Sequence, residues 1–460
     1  MPDWIVDLIK IGAGLLLYGL VPLFAALLLR STPRAAAGLA ATMLVLTALP
    51  PGWTTLYVAN VADYRGHVRG FEIALIDVVA LIILWEAVFA GGIRLAGGWR
   101  LALPWLCYVV AASLGIVHAI DATVAGMAVW KNFKAILPLM AAYAAVANEA
   151  DLRRVVAGAT AALLIETGAG LWDRYVHGSF RIYAWFEHSN SLAIWAYMVS
   201  LPVLAAALQP REPARTVILR MLAVIGGGAL VVMALARGSL AAFAAGATAV
   251  VLHSVATRPS VRGLAAAMLI LLALGLGAIK GQDSIRIRMA ETAEEEGVDD
   301  FRTVLNHQSA LMLKDQPLTG VGWNNYGKAN SRPDGSYSWV VEEWDRDRGH
   351  RYEEGQYTAN ALTESLYWLH LAENGLVGTC AYLLFLVVTL GLVAWVAWRQ
   401  RRNLIGAVAA GLLCSLGLAY AHGLVERVLV QPKNLTTWLL LVGAVVGAGR
   451  ARPAAITSER

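Results

Sequence analysis

Apolar segments recur along the chain and are separated by short polar connections. An α-helix needs about 20 apolar residues to cross the hydrocarbon core of a bilayer. The pattern predicts spans near residues 5–29, 35–50, 71–92, 101–119, 132–147, 154–172, 183–208, 217–236, 238–256, 263–280, 374–398, 404–423 and 435–449. Because segment 35–50 is short and ends at Pro50-Pro51, we expect that it does not cross fully. The sequence therefore predicts an all-α polytopic membrane protein with about 12 transmembrane helices.

One long polar segment, residues 281–373, interrupts this pattern. It is rich in acidic residues, but Trp, Tyr and Leu are interspersed among them. Loops of this length between apolar spans are usually functional or disordered, and the apolar residues argue against disorder. We therefore expect a folded lid with short helices over a site in the membrane. The predicted domains are a membrane bundle over 1–280, this loop over 281–373, membrane helices over 374–450 and a tail over 451–460.

The charge pattern gives the orientation of the predicted spans. Hydrophobic residues make up 58% of the chain and charged residues 15%, with a formal net charge of +5. Arginines mark alternate connections, at positions 30 and 34, 94 and 100, 153 and 154, 211, 215 and 220, 258 and 262, 399, 401 and 402, and 450 and 452. By the positive-inside rule these connections and the tail are cytoplasmic, so that loop 281–373 is extracytoplasmic. Because the basic residues are dispersed, we expect no nucleic-acid partner.

Three arginines on the predicted outer side are candidates for ligand binding. Arg181 precedes the span that contains Asn190, Arg237 lies where one span turns directly into the next, and Arg302 is in the loop. Guanidinium groups stay charged and their forked donors match phosphate oxygens, which favours a phosphorylated or pyrophosphorylated lipid as ligand. The alternatives are snorkelling to the lipid headgroups for Arg181 and a surface salt bridge for Arg302. Lys134 either adds a phosphate contact or snorkels.

Two further segments of the loop contain candidate residues. From Lys314 to Gly322, Pro317 ends a helix, and Gly320 and Gly322 permit tight turns. Near the end of the loop, Glu364 is a candidate acceptor for the proton of a substrate hydroxyl, but pairing with one of the arginines explains it equally well. The triplet Asp345-Arg346-Asp347 is interpreted as solvated charge, and no metal site or other cofactor is predicted.

Taken in order, these segments resemble the O-antigen ligase and O-antigen polymerase superfamily of bacterial inner-membrane proteins. The similarity covers about residues 130 to 380. It consists of Arg181 followed by Asn190, Arg237 at a tight turn, Arg302 opening the large loop, the segment from Lys314 to Gly322, and the segment from Glu364 to Gly378. The chain departs from the family where the usual His-Asn pair is replaced by Glu364-Ser365. The base is therefore Glu364 or another residue, for example His370.

The resemblance implies a metal-independent glycosyltransferase with a multi-span fold of the GT-C kind. Its donor would be a glycan on undecaprenyl pyrophosphate and its acceptor lipid A-core, with transfer at the periplasmic face of the inner membrane. Arg181, Arg237, Arg302 and Lys134 would bind the pyrophosphate, and Asn190, Trp323 and Asn324 other parts of the substrates. We expect direct displacement with inversion, since no obvious pair of carboxylates supports a covalent intermediate.

Other activities fit parts of the same pattern. An O-antigen polymerase and a protein O-oligosaccharyltransferase of the same superfamily need the same donor site. The ligase is favoured because the single large loop lies late in the chain and no soluble domain follows. A transporter of lipid-linked glycans would also be polytopic, but it is expected to have charges deep in several spans and internal repeats.

Overall fold

A computed structural model gives the fold of the chain. The residues it describes are 10, 12–14, 16–30, 32, 35–60, 67–210, 212–257, 259, 261, 264, 265, 268, 272, 275, 286, 298–330, 337–340 and 362–451. The predicted span 263–280, the Asp345 triplet and most of the tail lie largely or wholly outside these residues. Within them the fold is mainly helical, as predicted from the apolar pattern.

The helices follow one another with short connections. The α-helices are Val21–Leu29, Ala35–Thr47, Pro51–Thr54, Leu75–Phe89, Trp99–Ser113, Ala122–Lys134, Ile136–Ala145, Glu149–Tyr175, Ser189–Ala207, Ala214–Met233, Arg237–Thr257, Val298–Asp315, Tyr326–Asn330, Leu366–Arg399, Leu404–His422 and Pro432–Ala448. Leu16–Leu20 forms a π-helix, and 3-10 turns cover Ile93–Leu95, Leu114–His118 and Val428–Val430. Several helices begin at a capping side chain, since a polar oxygen accepts a backbone N–H that has no partner in the first turn. The caps are Asp121, Asn148, Ser365 and Asn403.

Among the described residues, eight helices are long and apolar enough to cross a membrane. They are Gly12–Leu29, Trp99–His118, Glu149–Tyr175, Ser189–Ala207, Ala214–Met233, Arg237–Thr257, Leu366–Arg399 and Leu404–His422. This finding agrees with a polytopic membrane protein, whereas the total of about 12 spans and the GT-C class stay predictions. The predicted span 132–147 differs from the structure, because it is divided between the helices Ala122–Lys134 and Ile136–Ala145.

A small sheet departs from the all-α prediction. Strands Thr55–Asn60 and Gly70–Ala74 pair antiparallel, with Thr55 opposite Ala74 and an irregularity between Tyr57 and Ala59. The second strand occupies the start of the predicted span 71–92, so that the helix there begins only at Leu75. Aromatic and β-branched residues favour such pairing. The sheet lies between two helices and adds no further layer to the fold.

The helix Ser189–Ala207 lies at the centre of the fold. All of its residues are buried except Asn190, which is partly exposed at its outer end. It packs against the helices Glu149–Tyr175, Ala214–Met233, Arg237–Thr257 and Leu404–His422. Small residues allow this close approach, as a Cβ added at Gly411 would lie 2.6 Å from the carbonyl oxygen of Leu201. Asn190 is therefore a polar group held in place by a rigid apolar helix.

The described part of loop 281–373 is anchored to the membrane helices through a glycine junction, which we define as residues 317–323 with residues 372–377. Backbone N–H groups of Val321 and Leu376 donate to the carbonyls of Ala372 and Pro317, at 2.9 and 2.8 Å. Gly320, Gly322 and Gly375 have φ of +68°, +101° and +59°, a region that favours glycine. These turns bring the two backbones so close that a Cβ on Gly320 would lie 2.4 Å from the carbonyl carbon of Glu373.

Candidate functional site

The connection between Tyr175 and Ser189 positions the first candidate arginine. Asp173 organises this connection, because its carboxylate accepts hydrogen bonds from Ser179 Oγ at 2.7 Å and from the backbone N–H groups of Tyr183 and Ala184 at 3.2 Å. Arg181 then points inward. Its Nη2 donates to Asn190 Oδ1 at 2.6 Å and its Nε to the carbonyl of Ala234 at 3.1 Å.

The second candidate arginine comes from the loop. Arg302, on the helix Val298–Asp315, donates through Nε to Oε2 of Glu364, with both side chains 39% exposed. Its Nη2 lies 3.8 Å from Oε1 of Glu426. The structure thus brings Arg302 and Glu364 together, although they are separated by 62 residues in sequence. A pair this exposed contributes little to stability, and a ligand with greater charge can replace one partner.

Glu426 joins the two arginines and was not predicted from the sequence. Its Oε1 accepts a hydrogen bond from Asn190 Nδ2, and the same oxygen faces Arg302. Arg181, Asn190, Glu426, Arg302 and Glu364 therefore form one connected set, which we call the arginine cluster. The available signal was a pair of opposite charges, Glu426-Arg427, in the short connection that precedes the last predicted span.

Neighbouring charges hold the arginine cluster together and influence its titration. Arg427 donates to the carbonyls of Leu362 and Thr363, both at 3.1 Å, and so positions the backbone next to Glu364. Burial and the negative charge of Glu364 raise the pKa of the Glu426 carboxyl to about 7. Burial and the positive charge of Arg181 lower the pKa of His188, which caps the central helix. Near neutral pH this imidazole is uncharged and Glu426 is poised between its two protonation states.

Arg237 borders the arginine cluster. It begins the helix Arg237–Thr257, three residues after Ala234, whose carbonyl accepts the hydrogen bond from Arg181. The turn is tight, with Leu235 at φ +52°. Arg237 is exposed and lines a crevice with apolar residues, namely Val231, Val232, Leu235, Ala236, Leu240, Ala241 and Ala244. A cation at the mouth of an apolar crevice suits an amphiphile with an anionic headgroup.

Lys134 belongs to a separate charged group. Its buried Nζ lies 2.8 Å from Oδ2 of Asp77 and 3.2 Å from Oε1 of Glu72, and Tyr18 donates to the same oxygen of Asp77 at 2.6 Å. We call Lys134, Glu72, Asp77 and Tyr18 the lysine group. Two carboxylates already neutralise the ammonium, so the structure gives no support to a phosphate contact by Lys134, which stays a prediction.

A cleft separates the lysine group from the connection that carries Arg181. It is lined mainly by apolar surface, with Glu72, Glu187 and Lys433 as charged members of its wall; the other lining residues include Leu46, Tyr57, Ile76, Trp185 and Phe186. Lys433 donates to the carbonyl of Trp185 at 2.9 Å and lies 3.5 Å from Glu166. An apolar cleft with a few fixed charges suits a lipid-linked ligand.

The remaining predicted site residues lie within or beside the glycine junction. His370 is buried, with Nδ1 2.9 Å from Asn374 Nδ2 and its ring stacked on Tyr382 at 4.1 Å between centroids. Trp323 is 1% exposed, and Asn324 donates to the carbonyl of Val68 at 2.9 Å. These contacts are those of a structural core. The roles predicted for His370 in catalysis, and for Trp323 and Asn324 in substrate binding, stay predictions.

No group of three or more His, Cys, Asp or Glu side chains suited to a metal ion occurs among the residues that the structure describes.

Comparison with known proteins gives one family model that matches part of the chain. Residues 221–383 match the family model described as O-antigen ligase. The matched range includes Arg237, Arg302, Glu364 and the glycine junction, whereas Arg181, Asn190 and Glu426 of the arginine cluster lie outside it. We found no match among the curated proteins. The resemblance inferred from the separate motifs is thereby confirmed at the level of the superfamily.

Proposed function

We propose, from the membership of this chain in the O-antigen ligase superfamily, that it transfers a preassembled O-antigen glycan from undecaprenyl pyrophosphate to a sugar hydroxyl of lipid A-core. The protein would act in the bacterial inner membrane, with the arginine cluster facing the periplasm. The observation that supports this proposal best is the connection of Arg181 to Arg302 through Asn190 and Glu426. Two guanidinium groups from distant parts of the chain thus occupy one small region.

The arginine cluster has the properties expected of a diphosphate site. Guanidinium groups match phosphate oxygens through forked hydrogen bonds, and they remain charged at any physiological pH. Arg302 is partly exposed, and its contacts with Glu364 and Glu426 are with carboxylates, which a diphosphate can displace. Because fixed cations supply the positive charge, we expect transfer to proceed without a metal ion.

In the proposed reaction the bond between the anomeric carbon and the pyrophosphate oxygen breaks. The bonding electrons stay with undecaprenyl pyrophosphate, and Arg181 and Arg302 stabilise the negative charge that develops on its oxygens. The acceptor hydroxyl attacks the anomeric carbon from the opposite side, which inverts its configuration, and loses its proton to a general base. On the sequence alone that base is the carboxylate of Glu364, with the imidazole of His370 as the alternative.

A reconstituted reaction tests the proposal. Purified protein is incubated with undecaprenyl-pyrophosphate glycan and lipid A-core, without nucleotide or added metal, and the products are separated on a gel. We expect a ladder of glycosylated lipid A-core. Longer undecaprenyl-linked glycans alone would identify an O-antigen polymerase. Movement of the donor across a proteoliposome membrane with neither product would identify a transporter instead.

A further inference from the structure

Two carboxylates share Arg302, and their surroundings differ. Glu364 binds Nε and is 39% exposed, whereas Glu426 faces Nη2 and is only 13% exposed. Glu426 is also fixed by Asn190, on the rigid central helix. Glu364 stands at the end of the loop, one residue before the cap of the helix Leu366–Arg399. Glu426 is therefore more rigidly positioned than Glu364, although it lies outside the segment that matches the family model.

The two oxygens of Glu426 have different contacts. Oε1 accepts the hydrogen bond from Asn190 and faces Arg302. Among the residues that the structure describes, none donates a hydrogen bond to Oε2. That oxygen therefore has capacity for one more donor, beside the guanidinium group proposed to bind the diphosphate.

We propose that Glu426, and not Glu364, is the catalytic residue that accepts the proton of the acceptor hydroxyl. The inference rests on the proposed function. As the acceptor oxygen forms its bond to the anomeric carbon, its proton passes to Oε2 of Glu426, and the bond to the pyrophosphate oxygen breaks with its electrons leaving on that oxygen. Glu364 is a positioning residue, which orients Arg302 until the diphosphate replaces it.

The electrostatic environment is consistent with this assignment. The charged groups that face Glu426 are Arg302 on the helix Val298–Asp315, Glu364 at the end of the loop, and its own neighbour Arg427. Burial and the charge of Glu364 raise the pKa of Glu426 to about 7, and a general base is most effective when its pKa lies near the working pH. We therefore expect kcat to rise with pH up to about 7 and then to level off.

The test compares carboxylate-to-amide variants in the reconstituted transfer reaction. Glu426→Gln is expected to lower kcat by at least about 100-fold, to remove the rise of kcat with pH, and to leave donor affinity within about threefold of wild type. Donor affinity is measured separately, by quenching of tryptophan fluorescence with undecaprenyl pyrophosphate. Glu364→Gln must retain the rise with pH, displaced to lower pH because the charge that helps to raise the pKa of Glu426 is gone. Glu149→Gln is the matched control and must match wild type, because Glu149 is a partly exposed carboxylate that pairs with Arg153 one helical turn away and does not belong to the arginine cluster.

Three results would overturn the inference: more than a tenth of wild-type kcat in Glu426→Gln, persistence of the rise near pH 7 in that variant, or loss of the rise in Glu364→Gln. If thermal unfolding shows that Glu426→Gln does not fold, Glu426→Asp replaces it. This variant keeps the charge but withdraws the oxygens, so kcat must fall while the rise with pH remains, and an unchanged kcat contradicts the assignment. Absence of product from the wild-type protein would instead reject the proposed function.

Discussion

The arginine cluster and the lysine group are both sets of charges, yet they differ in balance and exposure. In the lysine group one ammonium faces two carboxylates, and all three side chains are at most 11% exposed. In the arginine cluster Arg181 and Arg302 are joined through the amide of Asn190 and the carboxylate of Glu426, and Arg302 and its second partner Glu364 are 39% exposed. The ammonium of Lys134 is thus buried between two carboxylates, whereas Arg302 is accessible to a ligand. We therefore propose the arginine cluster as the ligand site and a structural role for the lysine group.

The largest expected effect comes from breaking the lysine group. Lys134→Met leaves Glu72 and Asp77 buried without a cation, which typically costs about 3–5 kcal/mol. The free energy of unfolding, measured by denaturant titration in detergent, should fall by that amount, whereas the folded fraction should bind undecaprenyl pyrophosphate as tightly as wild type.

Lys314→Met is the control for this change. Lys314 is exposed at the end of the helix Val298–Asp315, so that its replacement should alter stability by no more than about 0.5 kcal/mol. If Lys134→Met had normal stability and weakened donor binding, the lysine group would be a ligand site and not a structural one. That result would support the phosphate contact first expected for Lys134.

Arg302→Ala should have the opposite effect, a large loss of transfer rate with little loss of stability. Removal of one group that stabilises a developing anion typically lowers the rate about 100- to 1,000-fold, while loss of a partly exposed ion pair costs about 0–1 kcal/mol of stability. Transfer to lipid A-core and thermal unfolding are measured on the same preparation. Arg302→Lys keeps the charge without the forked geometry and should recover only part of the rate. Near-normal transfer in both Arg302→Ala and Arg237→Ala would count against the diphosphate assignment.

The glycine junction holds the loop that supplies Arg302, so a change there should affect the arginine cluster indirectly, through folding. In Gly320→Ala a residue with a Cβ must adopt φ +68° and lie 2.4 Å from backbone of Glu373. We expect a loss of about 1–3 kcal/mol of stability, with transfer falling in parallel with the folded fraction. In Gly391→Ala, on the helix Leu366–Arg399, a Cβ meets no atom within 4 Å, so this control should be as stable as wild type or slightly more. Equal stability of the two variants would contradict the role of the glycine junction in holding the loop.

The sequence allowed the apolar helices to be predicted more fully than the sites between them. The helices Ala214–Met233 and Arg237–Thr257 coincide closely with predicted spans, because length and apolar character are local properties. The strand Gly70–Ala74 was missed, since it leads directly into the apolar helix Leu75–Phe89 and continues the same hydrophobic run, and its partner Thr55–Asn60 was missed with it. Helix Ala122–Lys134 was likewise assigned in part to a neighbouring span.

The arginine cluster was predictable only in part. Arg181 and Arg302 stood out because charged residues beside apolar spans are uncommon. Their connection depends on Glu426, which lies 236 residues from Asn190, and no local pattern indicates that contact. For the same reason the pairing of Lys134 with Asp77 was not predicted, since the two residues are 57 positions apart in the sequence. The tight turns at Gly320 and Gly322 were predicted, whereas their packing against residues 372–377 required the fold.

Glu364→Gln should give the smallest effect, and it tests whether the two carboxylates of the arginine cluster differ. The amide no longer competes with the diphosphate for Arg302, so undecaprenyl pyrophosphate should bind slightly more tightly, by about two- to threefold on the scale of a partly exposed ion pair. Loss of orientation of Arg302 should lower kcat by less than about tenfold, too little for a general base. Donor titration and single-turnover transfer measure the two quantities separately. A fall of 100-fold or more would make Glu364 the base, and the exposure of a carboxylate would then be a poor guide to its role in this arginine cluster.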